Sequence, residues 1–479
     1  MSGRDVIVVG GGISGLATAH CLASAGLDVE LWEGTARVGG KIRTAKRDGY
    51  RLESAATMAV NFRGALDGFI RGAGLEAAKR VRGPMSARYV LDADRLVEAP
   101  TGMGELLRTR LLSRGAKLRM LAEPFARRGR DRHESVASFV TRRLGREVLD
   151  KLFEPYVAGP LASDAALAEA RTTMPRLVAL EKRYGSLALG ALCARLAGRG
   201  GAALPEVFSF AGGMATLVEH LAREGGFGVR RGVPVREAWP VHGGWRVRGG
   251  HAGATQDAIC RHLVISAPPQ AAAEILRGVD ADLARLLASV RFAPIRVVHT
   301  GFERSRIGHG LNGSGFLVPR GSAFAANGCL WVSRLFPRCA PQGRVLLTSY
   351  LGGSRNPDAA FQDCSRSLGE VMHMLRTLLD ARGEPETLHV ETHERGLPLY
   401  HGGYSAQLAA MDERLGRLPG LHLEANYRGG VSVRDRIACA QKAAARIARQ
   451  LEAARRPGGA NSQPRESAVP IAPVAATVP

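Results

Sequence analysis

Gly10, Gly12 and Gly15, with Glu33 downstream, are the residues whose types and spacing could do the most specific chemistry in this chain. In a G-x-G-x-x-G run the first glycine permits a tight turn, the second admits a phosphate close to the backbone, and the third lets a helix lie hard against a strand. A carboxylate about 20 residues further on can hydrogen-bond an adenosine ribose. These residues need a strand, a helix and a second strand to position them. The run from Asp5 to Gly10 reads as a short buried parallel strand, because a β-branched stretch bounded by glycine fits that environment better than it fits a helix. Ser14 to Ala25 reads as the helix, whose leading N–H groups around Ile13 and Ser14 attract a pyrophosphate together with the helix dipole. Gly26 stops it, and Asp28 to Glu33 forms the second strand. In a chain with 59 glycines the motif alone is weak. The strand before it, the helix after it and the acid at the right distance favour dinucleotide binding over a glycine turn that binds nothing.

The stretch Arg37-Val-Gly39-Gly40-Lys41-Ile-Arg43-Thr44 continues directly from the acid. Paired glycines flanked by cations let the chain pass close to a second part of the same phosphate-bearing cofactor. This arrangement resembles the flavin-dependent amine oxidase and protoporphyrinogen oxidase superfamily, and the resemblance points to FAD rather than NAD.

A chain of 479 residues with 45% hydrophobic content is too long for one simple core and has enough apolar material for two or three packed lobes. Its formal charge of +22 suits an anionic partner such as an acidic membrane surface, an acidic substrate or nucleic acid, although arginine use in a GC-rich genome produces the same excess. Seven scattered cysteines without a C-x-x-C indicate neither zinc nor a disulfide framework and fit a reducing compartment. No signal peptide is expected, since the N-terminus runs straight into the first strand. No apolar run reaches membrane-spanning length; Arg195 breaks the best one, Ser186 to Gly198.

Along the chain, Gly49 to Met58 is expected to enter the cofactor site as a strand, Phe62 to Ala78 to be helical, and Arg88 to Pro100 to form a small hairpin turning at Asp92 to Asp94. Between Arg108 and Arg132 nine arginines and lysines alternate with Leu106, Leu107, Leu111, Leu112, Leu118, Met120, Leu121 and Phe125. Such a segment can lie in a membrane interface, or it can be a solvated helical face with its apolar side in the core. Nucleic acid is not expected, because interleaved aromatics and a recognition helix are absent. Helical stretches open at His133 and run to about Leu196. Strands are expected at Val229 to Val235, Trp245 to Val247, His262 to Ser266, Ile295 to Phe302, Gly315 to Val318, Cys329 to Leu335 and Val345 to Leu351. Helices Phe361 to Arg382 and Arg434 to Ala453 follow, and the Pro-, Ala- and Ser-rich remainder is expected to be disordered.

Longer motifs make the resemblance specific to the oxygen-dependent protoporphyrinogen oxidase family: Arg88-Tyr89, Glu154-Pro-Tyr-Val-Ala-Gly159, Leu180 to Ser186, Phe208-Ser-Phe-Ala-Gly-Gly-Met214, Gly352-Gly-Ser-Arg-Asn356, Leu397-Pro-Leu-Tyr400 and Asn426-Tyr-Arg-Gly-Gly-Val-Ser432. The resemblance implies an α/β fold: a Rossmann-like FAD-binding domain, a mixed-sheet substrate domain and a helical membrane-docking lobe. On this sequence the FAD domain would comprise 1–75, 204–270 and 406–453, the helical lobe 76–203, the substrate domain 271–405 and the tail 454–479. The activity implied is the six-electron oxidation of protoporphyrinogen IX by O2, with hydrogen peroxide as the other product. By the same resemblance Arg88 holds a substrate propionate, Leu317, Leu330 and Tyr350 sandwich the macrocycle, and Gly159 lies near its reacting edge. Cofactor contacts are expected from Gly10, Gly12, Ile13, Ser14, Gly15, Glu33, Gly39, Gly40, Lys41, Val235, Asn426, Gly430, Val431 and Ser432. No metal is expected. An anionic membrane surface and a second copy of the chain are expected partners, and the location is expected to be cytoplasmic and peripheral to the inner membrane.

The chain departs from its family at several flavin-proximal positions. Ser54-Ala55-Ala56 stands where related enzymes have glycine-alanine-asparagine, Glu424-Ala425 where they have alanine-glycine, and Cys439-Ala440 where serine-glycine is usual. Two alternatives therefore accompany the leading reading: a non-catalytic tetrapyrrole-binding homologue, and an oxidase of coproporphyrinogen III.

Overall fold

The computed structural model describes residues 3–62, 64–83, 87–100, 102–129, 131–196, 205–251 and 254–455. Beyond Arg455 the expected disordered tail lies outside the described residues.

Two seven-stranded sheets carry the architecture. In the first, β1 (Arg4–Val9) runs parallel to β2 (Val29–Glu33) on one side and to Ala254–Ile265 on the other. Gly228–Arg231 continues the sheet beyond β2, the antiparallel hairpin Val235–Val241 and Gly244–His251 extends it beyond Ala254–Ile265, and Leu421–Leu423 also pairs with Ala254–Ile265. Residues from three distant parts of the chain thus meet in one sheet. Alternate side chains of β1 enter two cores: Val6 and Val8 face α1 (Ile13–Ser24) and the helix Val433–Arg455, while Ile7 and Val9 face the helices Pro269–Leu276, Ala281–Ala288 and Tyr404–Gly416. Burial on both faces is why this strand reads as an unbroken apolar run.

The second sheet is mixed. Its order is Thr387–Pro398, Phe292–Glu303, Arg344–Gly352, Gly328–Leu330, Gly313–Leu317, Ala87–Asp92 and Arg95–Glu98. Every pairing is antiparallel except that between Gly313–Leu317 and Ala87–Asp92. One face is closed by the helix Cys364–Leu379, whose Val371, Met374, Leu375 and Leu379 pack on Val298, Phe302, Phe316, Leu347 and Leu351. The other face is left for the site.

Helices between Met103 and Leu196 form a lobe with a core of its own around Val136, Phe139, Val140, Leu149, Phe153 and Met174. Arg143, fully buried there, pairs with Glu123, whose carboxylate also accepts the Ser186 hydroxyl at 2.5 Å and the Leu187 and Ala188 N–H groups at 2.9 and 3.1 Å. Glu123 therefore caps the helix Leu187–Leu196 from a distance. Among the described residues no helix is long and apolar enough to cross a membrane.

Some elements differ from expectation. The hairpin after Arg88 forms as expected, but the helix expected over Phe62 to Ala78 is only Asp67–Gly72. The strand expected over Cys329 to Leu335 ends at Leu330, because Trp331 turns into the core, its N–H bonded to Ser314, and a helical turn follows. The strand Thr387–Pro398 was not expected: His389, Glu391 and His393 alternate along its site-facing side and remove the apolar signal.

Candidate active site

The cofactor cradle forms where β1 ends. A Cβ on Gly15 would lie 1.9 Å from the Gly10 carbonyl oxygen, so only glycine lets α1 meet the strand at that distance. Gly10 has φ +106°, open to glycine at little cost. Gly12 is the N-cap of α1, carries no side-chain cap, and has nothing within 4 Å of where a Cβ would stand. The space over Gly12, at the head of a twelve-residue helix, is thus open, and the first turn carries no acid to compete with an anion for the leading N–H groups. Glu33, at the end of β2, is fixed by the Gly11 N–H at 2.7 Å and by the Thr35 N–H and hydroxyl at 2.8 and 2.7 Å. Gly39 donates to the Gly11 carbonyl at 2.7 Å, and Gly40, at φ +58°, packs against Gly12. Lys41 follows, donating to the Gly396 carbonyl at 2.6 Å over the Phe292 ring, with no carboxylate partner among the described residues; burial pushes its pKa down to about 8.

Val235 begins the strand just beyond Val233, whose N–H bonds the Glu33 carbonyl, so it stands close to the acid end of the cradle. The C-terminal set lies in the turn that opens Val433–Arg455. Ser432 accepts the Asp435 N–H, the Asp435 carboxylate receives the Ser432 N–H, and a side chain at Gly430 would collide with Asp435. Val431 is half-buried in that turn, and Asn426 accepts the Tyr400 hydroxyl through its carbonyl at 3.0 Å.

The altered positions have partners of their own. The Ser54 hydroxyl, turned toward Thr387–Pro398, donates to Glu391 at 2.7 Å with His393 Nε2 at 3.3 Å, and Arg43 pairs with the same Glu391 at 2.6 Å. Glu424 lies among Arg446, Arg428 and Arg436, with Arg446 at 3.3 Å; burial raises its pKa, and the cations oppose that rise. Ala425 and Ala440 are buried, Ala56 packs beside the first core, and the Cys439 thiol sits by Gly429 and Arg436.

The substrate residues expected from sequence gather on the open face of the second sheet. Tyr89, Phe316, Cys329 and Leu351 mark its closed face. The two-residue repeat of a strand then sends Arg88, Leu317, Leu330 and Tyr350 to the other. Gly159 meets them from the helical lobe, and a Cβ there would stand 2.6 Å from Leu317 Cδ2. The Tyr350 hydroxyl reaches Thr57 at 3.4 Å and is pushed up to about 12 by burial. The Arg88 guanidinium has no hydrogen bond or ion pair among the described residues; burial lowers its pKa, partly offset by Tyr156. Arg82 is lowered by burial and by the charge of Arg88.

Sequence reading missed the polar half of this face. Glu391 and His393 belong to the strand it did not find. His299, fully buried, bonds Thr348 at 2.9 Å and is held down to about 4 by burial. Glu53, buried against the Met214 N–H at 2.9 Å and the Thr44 hydroxyl at 2.9 Å, is pushed up to about 7. His393 bonds the Ser54 carbonyl at 2.8 Å, and His401 meets Ser163 at 3.1 Å.

The open space over Gly12 at the head of α1, the fixed carboxylate of Glu33 and the Lys41 ammonium, without a carboxylate partner among the described residues, suit the nucleotide half of FAD. Residues 13–447 match the sequence pattern of the flavin containing amine oxidoreductases. The mitochondrial protoporphyrinogen oxidase of Nicotiana tabacum is 30% identical over 94% of this chain and 96% of its own length. The coproporphyrinogen III oxidase of Bacillus subtilis is 26% identical over 91% and 96%. Among solved structures, a protein of Exiguobacterium sp. 255-15 named provisionally as a protoporphyrinogen oxidase superposes with TM-score 0.76 at 23% identity, over 94% of this chain and all of that one. The chain belongs to the flavin-containing amine oxidoreductase family: it is an FAD-dependent oxidoreductase related to the protoporphyrinogen oxidases.

Proposed function

We propose that the protein oxidises protoporphyrinogen IX to protoporphyrin IX with O2 as electron acceptor. The observation that carries this reading is the Arg88 guanidinium, without a hydrogen bond or ion pair among the described residues, on the same sheet face as Leu317, Leu330 and Tyr350, with Gly159 in contact with Leu317. A flat macrocycle with acidic side chains meets all three demands: a carboxylate for Arg88, apolar faces for the leucines and the ring of Tyr350, and an edge thin enough to approach Gly159. Bound FAD supplies the two-electron acceptor for each of three cycles, and oxygen carries those electrons away as hydrogen peroxide. The protein's own residues bind and orient. Arg88 fixes the propionate end, and the leucines and Tyr350 exclude water from the ring faces.

Coproporphyrinogen III is the second reading. A relative named for that activity supports it, as does Arg82, a second cation close enough to Arg88 to feel its charge, which would suit a substrate with more carboxylates. Rates with the two porphyrinogens, measured side by side as porphyrin fluorescence, decide between them. No turnover of either, in a flavin-loaded protein that still binds porphyrin, would leave the non-catalytic homologue.

Membrane docking belongs to the same proposal. Leu118, Leu121 and Phe125 are 67%, 61% and 90% exposed, and Leu189, Leu192 and Leu196 project from the helix Leu187–Leu196 of the same lobe, while Leu111 and Leu112 turn into the interior. No side chain of the basic helix Arg114–Leu121 is buried. Exposed leucines among arginines suit an anionic lipid interface at the cytoplasmic side of the inner membrane. Cosedimentation with vesicles containing phosphatidylglycerol is expected, and Leu118→Asp with Phe125→Asp should abolish it without changing the rate on detergent-dispersed substrate.

A further inference from the structure

The Arg355 guanidinium joins the helical lobe to the second sheet beside the proposed ring site. One nitrogen, Nη1, donates to both carboxylate oxygens of Glu154, at 3.1 and 3.3 Å, and to the Val318 carbonyl at 3.1 Å. The other, Nη2, donates to Asn327 Oδ1 at 2.7 Å. Asn327 passes the connection on. Its side-chain amide donates to the Gly352 carbonyl at 2.9 Å, its N–H to the Tyr350 carbonyl at 2.7 Å, and its own carbonyl accepts the Val318 N–H at 3.0 Å. Glu154 opens the short helix Glu154–Ala158 that ends at Gly159, is 5% exposed, and also accepts the Arg320 N–H at 3.1 Å.

Each of these partners adjoins a residue of the proposed ring site. Val318 follows Leu317; Asn327 is bonded to the backbone of Tyr350; Glu154 leads to Gly159. Gly159 and Leu317 are in direct contact: a Cβ on Gly159 would stand 2.6 Å from Leu317 Cδ2, so any side chain there would displace the leucine. An ion pair between groups this buried contributes little net stability unless its geometry is satisfied, as here, by further hydrogen bonds on both members. What it fixes is relative position: how the helical lobe, through Glu154, sits against the sheet beside Val318 and Asn327.

We propose that Arg355, acting through Glu154 and Asn327, is a positioning residue that sets the Gly159–Leu317 contact, the wall against which the macrocycle would lie. This rests on the porphyrin reading of the site. The planar fork is essential, because lysine keeps the charge toward Glu154 but cannot also hold Asn327 and the Val318 carbonyl.

The test is a double-mutant cycle on protoporphyrin IX binding by the flavin-loaded protein, followed by the Soret band shift, so that it reads the site without turnover. Arg355→Lys is expected to weaken binding about tenfold in the wild-type background and less than twofold in Leu317→Ala, where the contact with Gly159 is already lost. With Arg88→Ala the two losses should multiply. Asn327→Ala, which leaves the Arg355–Glu154 pair intact, should reproduce the Arg355→Lys loss and its dependence on Leu317, and it serves if Arg355→Lys does not fold. Equal losses in the Leu317 and Leu317→Ala backgrounds would overturn the positioning role while leaving the porphyrin reading in place. A wild-type protein that binds no protoporphyrin IX would overturn that reading, and this inference with it.

Discussion

In the proposed reading Arg88 separates substrate recognition from cofactor chemistry at the level of one side chain. Its guanidinium is desolvated and makes no hydrogen bond or ion pair among the described residues. Replacing it with alanine should raise KM by roughly 10- to 150-fold, the equivalent of about 1.5–3 kcal/mol for a hydrogen bond to a charged group, with kcat nearly unchanged. The porphyrinogen dimethyl ester should be indifferent to the change. Steady-state kinetics on both substrates check this. Lys41 makes a comparable statement about the cofactor. With its pKa near 8 in the absence of an anion, it is protonated below that pH and neutral above it. A pyrophosphate in the cradle would hold the proton on, so FAD affinity should be flat below pH 8 and fall as pH rises through it, by roughly tenfold per unit at most. Lys41→Met should remove the step. Titrations of apoprotein with FAD at pH 6.5 to 9.5 measure it.

Among the elements, the helical lobe depends on a charged pair in its interior. Glu123 caps Leu187–Leu196 while pairing with Arg143, so removing the arginine leaves a carboxylate at 1% exposure with only neutral donors. Arg143→Met should destabilise the lobe by about 3–5 kcal/mol, as expected for breaking a buried pair from one side. The loss should be visible as early amide exchange in Leu187–Leu196 while β1 and β2 remain protected. Replacing both partners, Arg143→Met with Glu123→Leu, should cost less than the single change, since no bare charge is then buried. The exposed leucines stand on this lobe, so the lobe's rigidity and the vesicle binding expected of it should fall together.

Across the whole molecule, what the sequence made legible follows from how local the signal is. The β1–α1–β2 unit was readable to within a residue or two because glycine spacing, an apolar strand and a capped helix lie within thirty residues. The resemblance grouped Arg88, Leu317, Leu330 and Tyr350, and the four share one face of the second sheet, although nothing in the sequence places Arg88 beside a strand more than two hundred residues later. The parallel pairing of Ala87–Asp92 with Gly313–Leu317 is what brings them together. Thr387–Pro398 was illegible because its site-facing residues are polar, which erases the alternation by which a strand is recognised. The concern raised by Ser54 and Glu424 could not be weighed without their partners. Glu391 and His393 answer the first, and Arg428, Arg436 and Arg446 the second, and all five lie on other elements or at least four positions away.

Oxygen uptake by the flavin-loaded protein, recorded together with porphyrin fluorescence during turnover of protoporphyrinogen IX, tests the proposed oxidation most directly. Three molecules of O2 consumed for each protoporphyrin formed, with the rate carried by the bound flavin and lost in Arg88→Ala at low substrate, is the predicted result. A protein that holds stoichiometric flavin and binds protoporphyrin IX, yet consumes no oxygen with either porphyrinogen, would contradict it.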